Sequence, residues 1–334
     1  VTVPRQAIVL AAGRGQRLRP FTNHTPKPLV PFLNRPLLQG TLEDLSRAGV
    51  ERVWINAWHL AEQLVDWAAN WQDDSLQLTV VVEPELLDTG GGLVNIQPLL
   101  APEPVLVLAG DIIADFDYEA LAQRHHESTA EATMALTTAA DPEVFGPVAM
   151  DGEQMLCDIV GRLGRPGESS LVNASAHMLE HSFLDRLPRT GPSCLVRGGY
   201  LPAMAAGATV AGWVHPGAWA ETGTPGALLS AQQAALAGSL PLSPGRREAG
   251  GLPWAPETGQ LALVHPTAQL GSGVELRDGS TIGPGARLGD GVTIRQCLVA
   301  GGVRLPDHTT WEHQIIDSQE TAEQLLSRPG ATIS

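Results

Sequence analysis

Between Val264 and Ile294 an aliphatic residue returns at every sixth position: Val264, Leu270, Leu276, Ile282, Leu288 and Ile294. The residues four places after each are Ala268, Val274, Ser280, Ala286, Val292 and Leu298, mostly small or apolar. Glycine corners fill the intervals at Gly271-Ser272-Gly273, Gly283-Pro284-Gly285 and Gly289-Asp290-Gly291. A period of six cannot line one face of an α-helix, whose apolar positions recur at three and four residues. It is also too regular for an ordinary sandwich. One short strand per repeat, turning at each corner, closes into a parallel β-helix with its aliphatic positions stacked inside. Six repeats supply about two triangular coils, and more if residues 299–315 contribute. A short solenoid has two open ends to cover, so the repeats are expected to pack on the rest of the chain or to mediate a homo-oligomer.

The remainder alternates strand-like and helix-like segments. Strands are expected at 7–11, 53–56, 76–82 and 105–109, and amphipathic helices at 37–48, 60–71 and 92–100. Val105-Leu106-Val107-Leu108-Ala109 is apolar throughout, as in a strand covered on both faces. Together these predict a doubly wound, mostly parallel sheet, with ligands at the carboxyl ends of its strands, where Gly13, Glu83 and Asp111 stand. Further strands are expected at 132–138 and 210–213, a last helix at 226–237, and an insertion over the open edge at 145–174. Residues 238–260 are rich in Gly and Pro without periodicity. The expected domains are therefore 1–237, a linker at 238–260, a β-helix at 261–315 and a tail at 316–334.

The formal charge of −15, from 21 basic and 36 acidic residues, argues against nucleic acid or an anionic membrane as partner. No apolar run reaches membrane-spanning length. Cys157, Cys194 and Cys297 lie far apart and read as reduced residues of a cytoplasmic protein. Against this acidic background the basic residues near the N-terminus look placed. Ile8-Val9-Leu10 empties into Ala11-Ala12-Gly13-Arg14-Gly15-Gln16-Arg17-Leu18-Arg19-Pro20, bringing backbone N–H groups and guanidinium charge to one point, as a polyphosphate requires. The spacing is neither the dinucleotide fingerprint nor the P-loop. Lys27, between Pro26 and Pro28, sits on a stiff backbone. In Glu85-Leu86-Leu87-Asp88-Thr89-Gly90-Gly91-Gly92 three glycines leave room for a flat ligand before opening a helix whose N-terminus can face phosphate.

The run Leu10–Pro20 followed by Thr25-Pro26-Lys27-Pro28-Leu29 resembles the signature of the sugar-1-phosphate nucleotidyltransferases. The six-residue repeats resemble the hexapeptide repeats of left-handed β-helix domains often attached to those enzymes. The resemblance implies an α/β fold, a Rossmann-like nucleotidyltransferase sheet followed by a short left-handed parallel β-helix. It also implies an enzyme that joins a nucleoside monophosphate from an NTP to a sugar 1-phosphate and releases pyrophosphate. Nucleophile and leaving group are then both phosphate oxygens, so catalysis rests on alignment, charge neutralisation and a divalent ion on the attacked phosphate.

Within that family likeness, Arg17, Lys27 and Asp111 are the expected catalytic residues. Asp111 follows an apolar strand and a glycine, and with Glu221 is expected to hold Mg²⁺, which takes one or two carboxylates beside phosphate oxygens and water. Glu221 stands in Trp219-Ala220-Glu221-Thr222-Gly223-Thr224, where the family usually has aspartate. Leu10, Ala11, Ala12, Gly13, Arg14 and Gly15 are expected on the nucleotide phosphates, and Glu83 or Glu85 with Thr89 and Gly90 on the base. The mid-chain Glu-Lys-Pro motif of many relatives is absent. Gly161-Arg162-Leu163-Gly164-Arg165-Pro166 occupies its place, so Arg162 or Arg165 is expected on the sugar phosphate, and Asn173 on a sugar hydroxyl. Thr89-Gly90-Gly91-Gly92 looks most like the uridylyltransferases of N-acetylmuramate 1-phosphate and the mannose-1-phosphate guanylyltransferases. UTP is the expected donor on this resemblance, with guanylyl transfer to mannose 1-phosphate as one alternative and a non-catalytic, nucleotide-sugar-binding regulatory subunit as another.

Overall fold

The computed structural model describes residues 2–139, 141–247, 252–254 and 261–327. The chain forms two compact units, each drawn from separated stretches. The first comprises Val1–Arg14, Glu43–Gly110 and Phe116–Trp219, and the second Gly15–Leu42, Asp111–Asp115 and Ala220–Ser334.

In the first unit nine strands share one sheet: β1 Gln6–Leu10, β2 Arg52–Ala57, β3 Gln77–Val82, β4 Val105–Ala109, β5 Ala132–Thr138, β6 Pro147–Met150, β7 Leu156–Ile159, β8 Glu168–Leu179 and β9 Val210–Val214. Strands β4, β1, β2 and β3 lie side by side and parallel, the Rossmann-like part. Beyond β4 the sheet turns antiparallel, for β8 pairs with β4, β5 and β6, and β7 pairs with β6. Strand β9 returns parallel to β5. The sheet is thus mixed rather than mostly parallel, and residues 145–174 are strands of it rather than an insertion. Their broken pattern has a local cause: Gly161 and Gly164, both at φ +63°, sit in the turn between β7 and β8, where only glycine adopts that conformation readily.

Helices α1 Leu37–Arg47, α2 Ala61–Ala69, α3 Asp88–Ile96 and α4 Tyr118–Ser128 join these strands. Ile8, Trp54, Val105 and Val107 of the sheet pack with Leu93 and Ile96 of α3 in one apolar core. Helix α3 begins four residues before its expected start at Gly92, so the three glycines lie inside it and are buried. All three are there because neighbours crowd them. A Cβ on Gly90 would stand 2.9 Å from the Ser193 carbonyl oxygen, and one on Gly92 would stand 2.6 Å from Asn56 Nδ2.

The second unit carries helix α5 Pro225–Leu236 and the repeats. Their short strands form three parallel sheets, the arrangement of a left-handed β-helix. Gln269 pairs with Arg287 and Arg287 with Arg304, a step of eighteen residues and then one of seventeen. Leu263, Thr281, Leu298 and Ile315 climb another face in three such steps, so residues 299–315 do contribute and the repeats make three coils. The extra coil escapes a strict six-residue pattern because the inward residues after Ile294 are Val299, Leu305, Trp311 and Ile316, with two intervals of five. Helix α6, Gln319–Leu326, packs Ala322, Leu325 and Leu326 onto that core. Within this unit Leu18, Phe21, Val30 and Phe32 share one apolar cluster with Leu228 and Leu229 of α5 and with Leu263, Leu298 and Ile315 of the coils. The stretch bearing Arg17 and Lys27 is therefore built against the β-helix. In the segment expected to be a linker, Pro244–Arg247 is helical, and Leu252–Trp254 pairs antiparallel with Ala262–Val264. Residues 248–251 and 255–260 of that segment lie outside the described residues.

Candidate active site

In the first unit, β1, β2 and β3 end at Leu10, Ala57 and Val82, and a chain of polar contacts ties these strand ends together. Ala11 N donates to Asn56 Oδ1 at 2.6 Å, Asn56 Nδ2 donates to Glu83 Oε1 at 2.7 Å, and Leu87 N donates to Glu83 Oε2 at 3.0 Å. Glu83 is only 3 % exposed, and burial raises its carboxyl pKa above the ordinary value. Both its oxygens are held by the protein, whereas Glu85 is exposed. Sequence reasoning missed Asn56. Its signal was a lone amide closing the apolar run Val53-Trp54-Ile55, because a buried polar side chain in a strand must be satisfied by something.

Helix α3 is tied down at its N-terminus. Thr89 N donates to Asp88 Oδ1, and the Gly90 and Gly91 amides donate to the Ser193 carbonyl at 2.7 and 3.1 Å. Thr89 Oγ1 in turn accepts from Leu195 N at 2.8 Å. These first amides are spent within the protein, so the expectation that this helix opens toward a phosphate is not met. Ahead of it, Leu10 O accepts from Gly110 N, and Ala12 is buried while Gly13 and Arg14 are exposed. The Arg14 guanidinium lies over the Trp58 ring, 4.9 Å from its centroid.

The residues expected on the sugar side are dispersed in their bonding. Asn173 Oδ1 accepts from Ser175 N at 2.8 Å, an Asx-type turn at a bulge in β8, and Ser175 has φ +65°. Next to it, Ala174 O accepts from Trp219 Nε1 at 3.1 Å, and the Trp219 ring meets Phe145 edge to face with centroids 5.6 Å apart. Arg162 is exposed at the turn after β7, and Arg165 Nη2 donates to Met204 O at 3.2 Å.

In the second unit the charged residues expected at the site form two ion pairs. Lys27 Nζ contacts Asp111 Oδ2, and Arg17 Nη2 lies 2.7 Å from Glu221 Oε1. The Lys27 side chain is 12 % exposed and that of Arg17 67 %, so one cation is enclosed and the other largely in solvent. Lys27 opens a single turn of 3₁₀ helix after Pro26, which fixes its backbone as the flanking prolines suggest. Gly15, at φ +60°, makes the left-handed bend that the loop needs, and its carbonyl accepts from Thr22 Oγ1 at 2.7 Å. The Asp111 carbonyl accepts from Thr222 Oγ1 at 2.6 Å, which ties Asp111 to the residue following Glu221. Gly223 lies against this pair: a Cβ there would stand 2.0 Å from Glu221 Oε1 and 2.5 Å from Arg17 Nη2, so a side chain at this position would push the two charged groups aside. No three His, Cys, Asp or Glu among the described residues gather as a metal cluster. Two carboxylates suit a cation that takes its other ligands from phosphate and water.

Comparison with known proteins bears on what this geometry serves. The nucleotidyl transferase family model matches residues 6–238. The mannose-1-phosphate guanylyltransferase of Mycobacterium tuberculosis is 30 % identical over 304 residues, covering 90 % of this chain and 80 % of its own. The mannose-1-phosphate guanylyltransferase catalytic subunit beta of Danio rerio is 29 % identical, covering 98 % of this chain and 90 % of its own. Among solved structures, HddC of Yersinia pseudotuberculosis complexed with GMP-PN superposes with a TM-score of 0.58 at 20 % identity, over 67 % of this chain and 96 % of that one. A putative glucose-1-phosphate thymidylyltransferase structure from Bacillus anthracis gives 0.60 at 20 % identity, over 72 % and 98 %. These structural likenesses show the shared fold. The match of the family model across the part of the chain that carries the nine-stranded sheet settles the family: this protein belongs to the nucleotidyl transferases, as a sugar-1-phosphate nucleotidyltransferase.

Proposed function

We propose that this enzyme transfers the guanylyl group of GTP to mannose 1-phosphate, forming GDP-mannose and pyrophosphate. The supporting observation is the span of the relatives. The mannose-1-phosphate guanylyltransferases of Mycobacterium tuberculosis, Oryza sativa and Danio rerio align with 90 % or more of the chain, repeats included. They favour the guanylyl alternative over the uridylyl preference. The Thr89–Gly92 loop is common to both readings and does not separate them.

In this reading a phosphate oxygen of the sugar 1-phosphate attacks the α-phosphorus of the nucleotide in line with the departing pyrophosphate. Lys27 and Arg17 neutralise the triphosphate, the charge contact that matters most in phosphoryl chemistry. In the structure each is matched by a carboxylate; phosphate would take the two cations in their place, and Asp111 and Glu221 would then be the residues to hold Mg²⁺. A Mg²⁺ ion held by Asp111 and Glu221 would supply Lewis-acid charge neutralisation at the attacked phosphate. The Asn56–Glu83 frame holds the loop on which the nucleotide rests, and the exposed Glu85 is the carboxylate left for a base N–H. Asn173 and Arg162 are assigned to the sugar and its phosphate. We place the reaction in the cytoplasm, in keeping with three unpaired cysteines, and read the outer faces of the coils as the homo-oligomer contact.

The test is a matrix of common nucleoside triphosphates against glucose, mannose, N-acetylglucosamine and N-acetylmuramate 1-phosphates, read as pyrophosphate release. GTP with mannose 1-phosphate should give the highest kcat/KM. UTP should give less than about a tenth of it, because a site that pairs one base edge strands a buried partner with the wrong base. Equal or better turnover with UTP would overturn the proposal.

A further inference from the structure

The segment between the family module and the coils contributes a buried arginine to the second unit. Arg246 lies in the turn of helix Pro244–Arg247 and is 7 % exposed. Among the described residues its guanidinium donates to three acceptors: Nη1 to Leu37 O at 3.1 Å, and Nη2 to Thr41 Oγ1 at 2.6 Å and to Ile112 O at 2.9 Å. Leu37 and Thr41 belong to α1, and Ile112 is the residue after Asp111. Gly40 makes room for the side chain, since a Cβ there would stand 2.5 Å from Arg246 Cγ. A second tie runs from the same stretch to the same turn, with Arg35 Nη1 donating to Gly245 O at 3.1 Å.

Asp111 is thereby held from three sides. Its carboxylate meets Lys27, its carbonyl accepts from Thr222, and the next carbonyl accepts from Arg246. Burying a guanidinium costs several kcal/mol unless its donors are satisfied. The planar fork of arginine, unlike the point charge of lysine, can serve a helix carbonyl, a hydroxyl and a strand carbonyl at once. Since a displacement of about 1 Å at a reacting group can cost roughly 10²-fold in rate, fixing the Asp111 backbone has kinetic value.

We infer that Arg246 is a positioning residue for the transfer reaction, locking the Asp111–Ile112 backbone to α1 from a segment outside the matched family module at 6–238. The inference rests on the reading of Asp111 as the metal-binding carboxylate. It implies that a chain cut after the family module would lose chemistry as well as its coils.

The experiment compares full-length Arg246→Met, Arg246→Lys, Thr41→Val and Asp111→Asn. It reads melting temperature, kcat and KM with the preferred substrates, and Mn²⁺ affinity by loss of the free-ion electron paramagnetic resonance signal in the presence of nucleotide. Arg246→Met should lower kcat by about tenfold or more with KM for the sugar phosphate within about threefold, and weaken Mn²⁺ binding about fivefold. Arg246→Lys should recover part of each loss, a rescue that a merely bulky filler would not show. If Arg246→Met does not fold, Thr41→Val, which removes one acceptor and little volume, should still lower kcat about threefold. A folded Arg246→Met with kcat and Mn²⁺ affinity within twofold of the parent would overturn the inference, as would an unchanged Thr41→Val where the methionine variant fails to fold. Asp111→Asn separates the two levels. If it retains parental activity, the reading of Asp111 falls; if it loses activity while Arg246→Met does not, only the present inference falls.

Discussion

Glu83 and Asp111 each follow the end of a parallel strand, and each has its carboxylate engaged, but by partners of different kinds. Glu83 accepts from a side-chain amide and a backbone amide, both part of the fold, and is 3 % exposed. Asp111 meets the ammonium of Lys27, and its side chain is 29 % exposed. Withdrawing Glu83 from its donors would leave Asn56 and Leu87 unsatisfied in the interior, a cost of about 1–3 kcal/mol for each. A partly solvated ion pair can instead trade partners, which is what the proposed reaction asks of it when phosphate and a cation arrive. The first carboxylate therefore builds a frame, and the second is available for chemistry, although both were equally visible as acids at strand ends.

The sharpest way to break this comparison is to remove the tradeable charges. Lys27→Ala and Asp111→Asn should each lower kcat by roughly 10²–10³, about 3–4 kcal/mol of lost charge stabilisation. Thermal melting should move by only a few degrees, as expected for a change of about 1 kcal/mol in stability. Steady-state kinetics beside calorimetry decides it. A variant that keeps parental turnover, or one that mainly unfolds, would put Lys27 and Asp111 on the structural side with Glu83.

The frame should show the reverse pattern. Gly92→Ala would improve helix propensity by about 1 kcal/mol if α3 stood alone. Its new Cβ would stand 2.6 Å from Asn56 Nδ2 and 2.9 Å from Glu83 Oε1, and those groups have no slack because each is bonded to the other. Overpacking of this kind costs about 1–3 kcal/mol, enough to outweigh propensity. Urea denaturation should show net destabilisation, and KM for the nucleotide should rise while kcat moves less. A stabilised variant would mean that the frame yields more easily than its hydrogen bonds suggest.

How much of this was legible beforehand depended on how local the cause was. The parallel strands, α1 and the six-residue repeat declare themselves, because burial on both faces, helical spacing and stacked coils each impose a period on neighbouring residues. The third coil was hidden by two one-residue contractions after Ile294, which leave the stacking intact while breaking the count. Strand β8 was hidden by the glycine turns before it and the bulge at Asn173–His177 within it. At the site, Arg17, Lys27 and Asp111 could be singled out by their loops and flanking residues. The partners of Glu83, the use of the Gly90 and Gly91 amides and the reach of Arg246 join residues remote in sequence, and no period records such contacts.

The smallest effect is expected at Glu221, where it tests the trading of partners most directly. The family usually carries aspartate there, and glutamate's extra methylene places Oε1 2.7 Å from Arg17 Nη2. Since the Arg17 side chain is 67 % exposed, that pair contributes little to stability, and Glu221→Asp should leave the denaturation midpoint nearly unchanged. The shorter side chain would draw back from Arg17 and free its guanidinium for phosphate. KM for the nucleotide should then fall by about threefold, less than ~1 kcal/mol, with kcat within about threefold of the parent. Initial rates over a grid of nucleotide and Mg²⁺ concentrations resolve changes of that size. If Glu221→Asp instead loses as much as Asp111→Asn, the reach of the glutamate is itself required at the cation, and the Arg17 contact is a consequence of that reach rather than a partner to be exchanged.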